Sequence, residues 1–410
     1  MHGPQPKEPH RIRVVSVLGA GQILAWGSSY YLVAVLAKPI GETMGWPPGW
    51  IVGGLSLGLL TSGLISPRVG RTIERWGGRP VLAFSALLLA IGLVGLSLST
   101  HIAFYVGAWL VVGLGMGAGL YDAAFATLGR IYGETARSAI AALTLWGGFA
   151  STVCWPLSAF LANHFGWRGA CLVYAALLFF LVMPSYLFLL PREAERPNRP
   201  VAKASAIAGD TPPGARASGA DAAVLFVLLA LSLTLSYTIS SVISVHLLTI
   251  LEGSGIAFSA AVALGAIVGP AQVGARLIEM LIGRYHHPIW TMIASALFMS
   301  TGLAILALGL PLLALGLVIY GAGIGIESIA RGTVPLALFG AEGYAGLMGR
   351  LAMPSLIAQS ISPTIGAFLL QQEGADVLLA ALTALAVFKV ALVVSLWWRH
   401  RSSANARPAA

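Results

Sequence analysis

The chain has 410 residues, 57% of them hydrophobic and 10% charged, with a net charge of +9 and a mean hydropathy of +0.85. Soluble domains carry about 25% charged residues, so a water-soluble globule of this length is excluded: it has too few charges to cover its surface. The positive excess would suit a nucleic-acid partner, but its placement along the chain points to a lipid bilayer instead.

Apolar runs follow one another, each close to the ~20 residues that a helix needs to cross a membrane. In chain order the predicted elements are 14–37, 48–66, 80–99, 103–127, 138–161, 169–190, 222–247, 256–275, 288–308, 311–332, 347–370 and 376–398. Barrel strands would read as alternating segments of about 10 residues, and none is found. The expected fold is an all-α integral membrane protein of twelve transmembrane helices. The opening MHGPQPKEPHRIRVV has no small-residue cleavage site after a short apolar core, so the first run is read as a span and not as a removable signal. Cys154 and Cys171 fall inside predicted helices, and two buried thiols make no disulfide framework.

The basic residues alternate between loops. Lys7, Arg11 and Arg13 precede the first span; Arg68, Arg71, Arg75 and Arg79 follow the second; Arg130 and Arg137 follow the fourth. Arg192, Arg196, Arg199, Lys203 and Arg216 follow the sixth, Arg284 the eighth, Arg350 the tenth, and Arg399, Arg401 and Arg407 end the chain. The intervening loops hold little more than Lys38 and Arg168. Positive loops stay on the cytoplasmic side, so both termini are expected there, in a multi-pass protein of the plasma (inner) membrane.

Residues 191–221, PREAERPNRPVAKASAIAGDTPPGARASGAD, interrupt the hydrophobic pattern with Pro, Ala, Arg and Gly and no apolar face. Such a composition reads as a flexible linker. The expected organisation is a cytoplasmic tail at 1–13, a six-helix half at 14–190, the linker at 191–221, a second six-helix half at 222–398 and a tail at 399–410.

The two halves repeat each other. VGRTIERWGGR (69–79) is answered by GARLIEMLIGR (274–284), with Arg71, Ile73, Glu74, Gly78 and Arg79 matching Arg276, Ile278, Glu279, Gly283 and Arg284 at a constant offset of 205. GLGMGAG (113–119) is answered by GAGIGIE (321–327) at an offset of 208, and PLSAFL (156–161) by PTIGAFL (363–369). Ordered matches at nearly one offset argue for duplication, and parallel six-span repeats are one signature of secondary transporters.

Gly70, Glu74, Arg75, Gly77 and Arg79, at their spacing, resemble the cytoplasmic loop motif of the major facilitator superfamily, with Glu74 where Asp is usual. GWRG (166–169), opening the sixth span, is similar to that family too. The resemblance implies two pseudo-symmetric six-helix halves working by alternating access. It also implies a conformational gate in which the acid and arginines latch helix ends; the repeat extends that gate to Arg276, Glu279 and Arg284. The residues by themselves also permit a simpler role for these arginines, as topology signals.

Charges inside spans are functional candidates by default, because each costs a few kcal/mol, about 2.5–3.5 on insertion scales. Asp122 lies in the fourth span, Glu327 and Arg331 in the tenth, Lys38 at the end of the first and His246 at the end of the seventh. The resemblance implies that spans one, four, seven and ten line the central cavity. Lys38, Tyr30, Asp122, His246, Glu327 and Arg331 are therefore candidate substrate contacts, and Asp122 and Glu327 candidate proton carriers. Each has a plainer alternative. Glu327 and Arg331, at i and i+4, can neutralise each other. Asp122 can bond neighbouring hydroxyls or cap a broken turn. Lys38 and His246 can be interface residues, and Tyr30, with Trp26 and Tyr31, packing. Lys389, in the twelfth span, falls off the cavity set and reads as a snorkelling or lipid-headgroup residue. The glycines before Glu327 let helices approach or bend.

VAVLAKPIGETMGW (33–46) is similar to the first-span ending of the monocarboxylate porters, where a lysine is associated with anion capture and proton coupling. The chain departs from those porters in the eighth span, where Pro270, Gln272 and Gly274 stand in place of an Asp and Arg. It departs from oxalate–formate exchangers in the eleventh, where Gln359 is the nearest polar residue to their lysine. Drug-efflux members carry Gly-Pro in the fifth span, and this chain has Trp155-Pro156. The reading is a secondary active transporter, proton-linked, for a small organic anion such as a carboxylate. The alternatives are proton-antiporting efflux and, from another class, a membrane sensor without transport. A monomer is expected, with small-molecule substrate, protons and lipid as partners. LGAGQI (18–23) mimics a dinucleotide fingerprint but lacks its third glycine and any βαβ context. No nucleotide loop, metal motif or hydrolase signature is present, so no enzyme, cofactor, metal or nucleic acid is expected.

Overall fold

A computed structural model describes residues 11–193, 220–309 and 311–405. Most of the expected linker, with Arg196, Arg199, Lys203 and Arg216, lies outside the described residues, as do Lys7 and Arg407. The helices are α1 (Arg11–Gly27), α2 (Leu32–Met44), α3 (Pro48–Trp76), α4 (Gly78–Ser97), α5 (Ile102–Gly119), α6 (Tyr121–Tyr132), α7 (Ala136–Gly148), α8 (Ala150–Leu177) and α9 (Met183–Leu189), followed by α10 (Ala220–Gly253), α11 (Phe258–Ile282), α12 (Pro288–Ala307), α13 (Leu313–Phe339) and α14 (Tyr344–Asn405). No strand occurs among the described residues. Backbone N–H and C=O groups in lipid must be paired within the segment, which is why the apolar runs are helical.

Nine helical segments among the described residues are long and apolar enough to cross a membrane. Two of them, Ile102–Leu189 with 88 residues and Tyr344–Ser402 with 59, exceed one crossing. Glycines with positive φ turn the chain inside them: Gly133 (54°), Gly166 (69°) and Gly374 (86°). Nothing lies within 4 Å of a Cβ at Gly374. Glycine is needed there because φ is positive with ψ extended at 178°, a region that costs other residues about 1–3 kcal/mol, and not for space.

Two predicted spans are discontinuous. The run 14–37 is divided between α1 and α2 by a turn over residues 28–31. The run 103–127 is divided between α5 and α6 at Leu120, whose ψ of −169° is extended. The segments read as loops, 69–79 and 274–284, are largely helical: Gly70, Glu74 and Arg75 belong to α3, and Arg276 and Glu279 to α11. Nothing in VGRTIERW breaks a helix, so α3 continues past its apolar stretch until Gly77, whose φ is 87°.

The chain divides into two compact units, Met1–Arg196 and Pro197–Ala410. The glycine repeat builds the same three-helix contact in each. In the first unit, a Cβ on Gly113 would stand 2.8 Å from Gly58 Cα and one on Gly117 2.9 Å from Ser62 O, both on α3, while one on Gly115 would stand 2.9 Å from Leu89 N on α4. In the second, Gly321 and Gly325 meet Val268 and Gln272 of α11 at 2.8 Å, and Gly323 meets Met299 N of α12 at 2.8 Å. Each obstacle includes backbone, which cannot swing aside, so these helices approach at a distance only glycine permits. Of the two roles open to the glycines before Glu327, close approach is the one seen: α13 runs unbroken through them. The core of the second unit closes around this contact with Met299, Leu303, Leu317, Tyr320, Leu379 and Ala386.

Candidate functional site

In the second unit, the close approach of α13 to α11 and α12 brings Glu327 into a buried polar cluster. Ser236 Oγ, from α10, donates to Glu327 Oε1 at 2.8 Å, and Ser295 Oγ, from α12, lies 2.6 Å from Oε2. Ser295 is also 2.9 Å from the Gly323 carbonyl, so its single proton serves one acceptor or the other. Lys389 Nζ, from α14, stands 3.0 Å from Glu327 Oε2 and 3.5 Å from Met299 Sδ. Four helices thus converge on one carboxylate.

The position of Lys389 corrects the sequence reading. It is not a snorkelling residue: its side chain is 0% exposed and ion-paired to Glu327, which is 10% exposed. Twelve apolar or small residues precede it in the last span and nine follow to Trp398. At about 1.5 Å per residue the ammonium is too deep for its four-carbon stem to reach either end. A lysine at that depth needs an anion, and Glu327 supplies it. Arg331, one turn along α13, is buried with its guanidinium 4.6 Å from the centroid of the Tyr237 ring on α10, a cation–π contact that fixes the plane of its N–H groups.

In the first unit, Asp122 lies half-buried in the first turn of α6, immediately after the break at Leu120. Free N–H groups and the helix dipole favour a negative charge there. Gln22, fully buried on α1, donates to the Gly119 carbonyl at 2.6 Å, so the carbonyl exposed by the break is satisfied. Its Oε1 accepts from Trp26 Nε1 at 3.2 Å. Trp26 lies 5.6 Å from Tyr30, 6.1 Å from Tyr31 and 5.4 Å from Tyr121, and Tyr121 stacks on Phe125 at 5.2 Å. Tyr30 is therefore part of a half-open aromatic wall at the point where both discontinuous spans unwind. Irregular backbone at membrane depth is tolerated where it lines a cavity or is covered by protein.

The remaining candidates stand apart from these clusters. Lys38, on α2, is exposed and lies 3.8 Å from Glu42. His246 is half-buried, with Nε2 2.8 Å from the Pro363 carbonyl; a carbonyl only accepts, so this nitrogen carries the proton. The motif residues at the end of α3 join a network the sequence did not announce. Arg130, at the end of α6, donates to the Glu74 carbonyl and pairs through Nε with Glu193 Oε2 at 2.6 Å. Glu193 Oε1 accepts from Gly78 N at 2.9 Å. Arg75 lies over the Trp76 ring, its cation 4.8 Å from the centroid, and Arg79 is half-buried at the start of α4. In the second unit Arg276 is buried and donates to the Gly325 carbonyl at 3.2 Å, whereas its sequence match Arg71 bonds its own helix at Pro67. Glu279 accepts from Thr291 at 2.7 Å and lies 3.6 Å from His286 Nε2, while Arg284 covers Tyr285.

Residues 18–326 match the family model of the Major Facilitator Superfamily. The chain belongs to that superfamily, a family of membrane transporters and not of enzymes. It is 31% identical over 122 residues to monocarboxylate transporter 11 of Mus musculus, a match covering 30% of this chain and 27% of the relative. It is 31% identical over 137 residues to monocarboxylate transporter 13 of Bos taurus, covering 32% and 30%. The chain thus spans less than a third of the length of these relatives. Among solved structures it resembles the human organic anion transporter MFSD10 (TETRAN), with a TM-score of 0.75 at 18% identity over 94% of this chain and 100% of the other. It also resembles the proton:xylose symporter XylE, with a TM-score of 0.68 at 12% identity over 94% and 95%. At these identities the likeness is one of fold.

Proposed function

We propose that this protein is a secondary active transporter that moves a small organic anion, such as a carboxylate, together with protons. The observation that carries this reading is the buried ion pair of Glu327 and Lys389 in a membrane span. Such charges are costly in lipid and mark ion and substrate pathways. The substrate class is supported by the names of the relatives, monocarboxylate transporters and an organic anion transporter. Fold does not decide it, since a xylose symporter shares the architecture. Arg331 and Lys38 are the proposed anion contacts, with Tyr30 and His246 beside the path and Asp122 and Glu327 as proton carriers.

The proposed architecture has twelve spans in two six-helix halves, 14–190 and 222–398, joined by a cytoplasmic linker at 191–221. Dividing Ile102–Leu189 at residues 133–135 and at Gly166, and Tyr344–Ser402 at Gly374, takes nine segments to twelve. The alternation of basic loops supports cytoplasmic termini, and a monomer is the proposed state. The test is purified protein in liposomes, given a radiolabelled short-chain monocarboxylate with and without an inward pH gradient. Gradient-driven accumulation supports the reading; uptake only of neutral or cationic drugs moves it to efflux.

The gate is proposed at Gly70, Glu74, Arg75, Gly77 and Arg79, and in the second half at Arg276, Glu279 and Arg284. Glu74→Ala or Arg79→Ala is expected to slow transport while leaving substrate affinity within several-fold, because these side chains bias conformations without touching ligand. Glu279→Ala should act in the same direction. Equilibrium binding in detergent alongside initial uptake rates makes the check: a large loss of affinity with unchanged turnover rejects the gate.

A further inference from the structure

We infer that Lys389 is the residue that makes proton and anion binding obligatory partners, a role that rests on the proposed anion transport and adds a residue to it. Of the pair, only the Glu327 side chain has any exposed surface and the Lys389 ammonium lies wholly enclosed behind it, so an anion meets Lys389 only when Glu327 gives way. Ionised Glu327 and charged Lys389 sum to zero. A proton on Glu327 alone leaves an uncompensated ammonium among Met299 and apolar side chains, an arrangement that proteins avoid. The carboxyl therefore takes its proton only when another anion replaces it beside Lys389.

A substrate carboxylate is such an anion. The exchange balances: Glu327 carboxylate, a proton and the substrate carboxylate become Glu327 carboxylic acid and a Lys389 ammonium–substrate pair, with no net change in buried charge. The serines fit both states. Ser236 and Ser295 donate to the ionised carboxylate, and Ser295 has the Gly323 carbonyl as its other acceptor when Glu327 is neutral. Of the arginines near it in the fold, Arg276 of α11 is held on the Gly325 carbonyl, two residues before Glu327, and Arg331, one turn along α13, lies on the Tyr237 ring. Neither is a proton donor at ordinary pH, because guanidinium stays protonated. From α10 and α12 the groups that touch the carboxylate are serine hydroxyls.

Linkage fixes the sign. If one proton must bind with each anion, affinity for a short-chain monocarboxylate rises as pH falls, by up to about tenfold per pH unit. In Lys389→Met the ammonium that meets the substrate carboxylate is gone, so carboxylate affinity is expected to fall by about tenfold or more and whatever binding remains to vary with pH by no more than about twofold over the same range. Glu327→Gln/Lys389→Met removes both charges together, which buried pairs tolerate better than loss of one, and it keeps the test open should the single variant not fold; it too should be flat. Binding is measured by titration of the full-length protein in detergent at several pH values. A wild-type slope retained in either variant overturns the inference while leaving anion transport intact, as does wild-type carboxylate binding that is independent of pH. No carboxylate binding or flux by the wild type at any pH overturns the transport reading itself.

Discussion

Glu327→Gln is expected to abolish carboxylate accumulation driven by a pH gradient while retaining exchange of labelled for unlabelled substrate at equal concentrations. The amide mimics the protonated acid, so the loaded carrier still cycles, but no proton is taken up or released. The variant also leaves the Lys389 ammonium facing a neutral amide and Met299, and breaking a buried ion pair costs about 3–5 kcal/mol. Thermal unfolding in detergent should therefore show a marked drop, recovered in large part when Lys389→Met is added. Accumulation that still follows the pH gradient in Glu327→Gln would move the proton to Asp122, half-buried in the first turn of α6. Loss of exchange along with accumulation would assign Glu327 to binding or folding instead.

The second large effect is steric. Gly325→Leu places a branched side chain where even a Cβ meets the Gln272 backbone, with Gln272 Cα at 2.8 Å. Overpacking of this kind costs about 1–3 kcal/mol when side chains yield, and more when they cannot. The obstacle here is helix backbone, so α13 must shift away from α11, carrying Glu327 off Ser236 and Lys389. The expected outcome is poor recovery of folded protein, or a folded variant without proton-linked uptake. Gly346→Leu is the matched control on α14, since nothing lies within 4 Å of a Cβ there. Equal losses in both variants, compared by size-exclusion profile and uptake, would refute close helix approach as the cause.

Some of this was legible in sequence because it follows from one-dimensional patterns. Low charge and successive apolar runs require a membrane protein, and backbone hydrogen bonding then requires helices. The glycine repeat at an offset of 208 corresponds to the same packing in both units, because small residues at helical spacing permit close approach. The intramembrane position of Glu327 and Arg331 was evident from the flanking apolar residues. Lys389 carried a similar signal in its distance from both ends of its run, and it was misread because a lone lysine has no visible partner 62 residues away from Glu327.

What a carboxylate touches is a property of helices meeting in space. The i,i+4 spacing offered Arg331 as the partner of Glu327, yet tertiary packing brought Lys389 from α14 and two serines from α10 and α12 to it. The same holds for Arg130 and Glu193, joined across 63 residues of chain, and for the matched arginines 71 and 276, one on the surface and one buried. The breaks at residues 28–31 and at Leu120 were also hidden, because an unwound turn inside an apolar run leaves hydropathy unchanged; side chains answer the carbonyls there, Ser29 that of Ala25 and Gln22 that of Gly119. The medium, the helices and the internal repeat follow from composition and period alone. Which charges neutralise one another emerges from packing, because it depends on which helix faces share a few ångströms of low-dielectric interior.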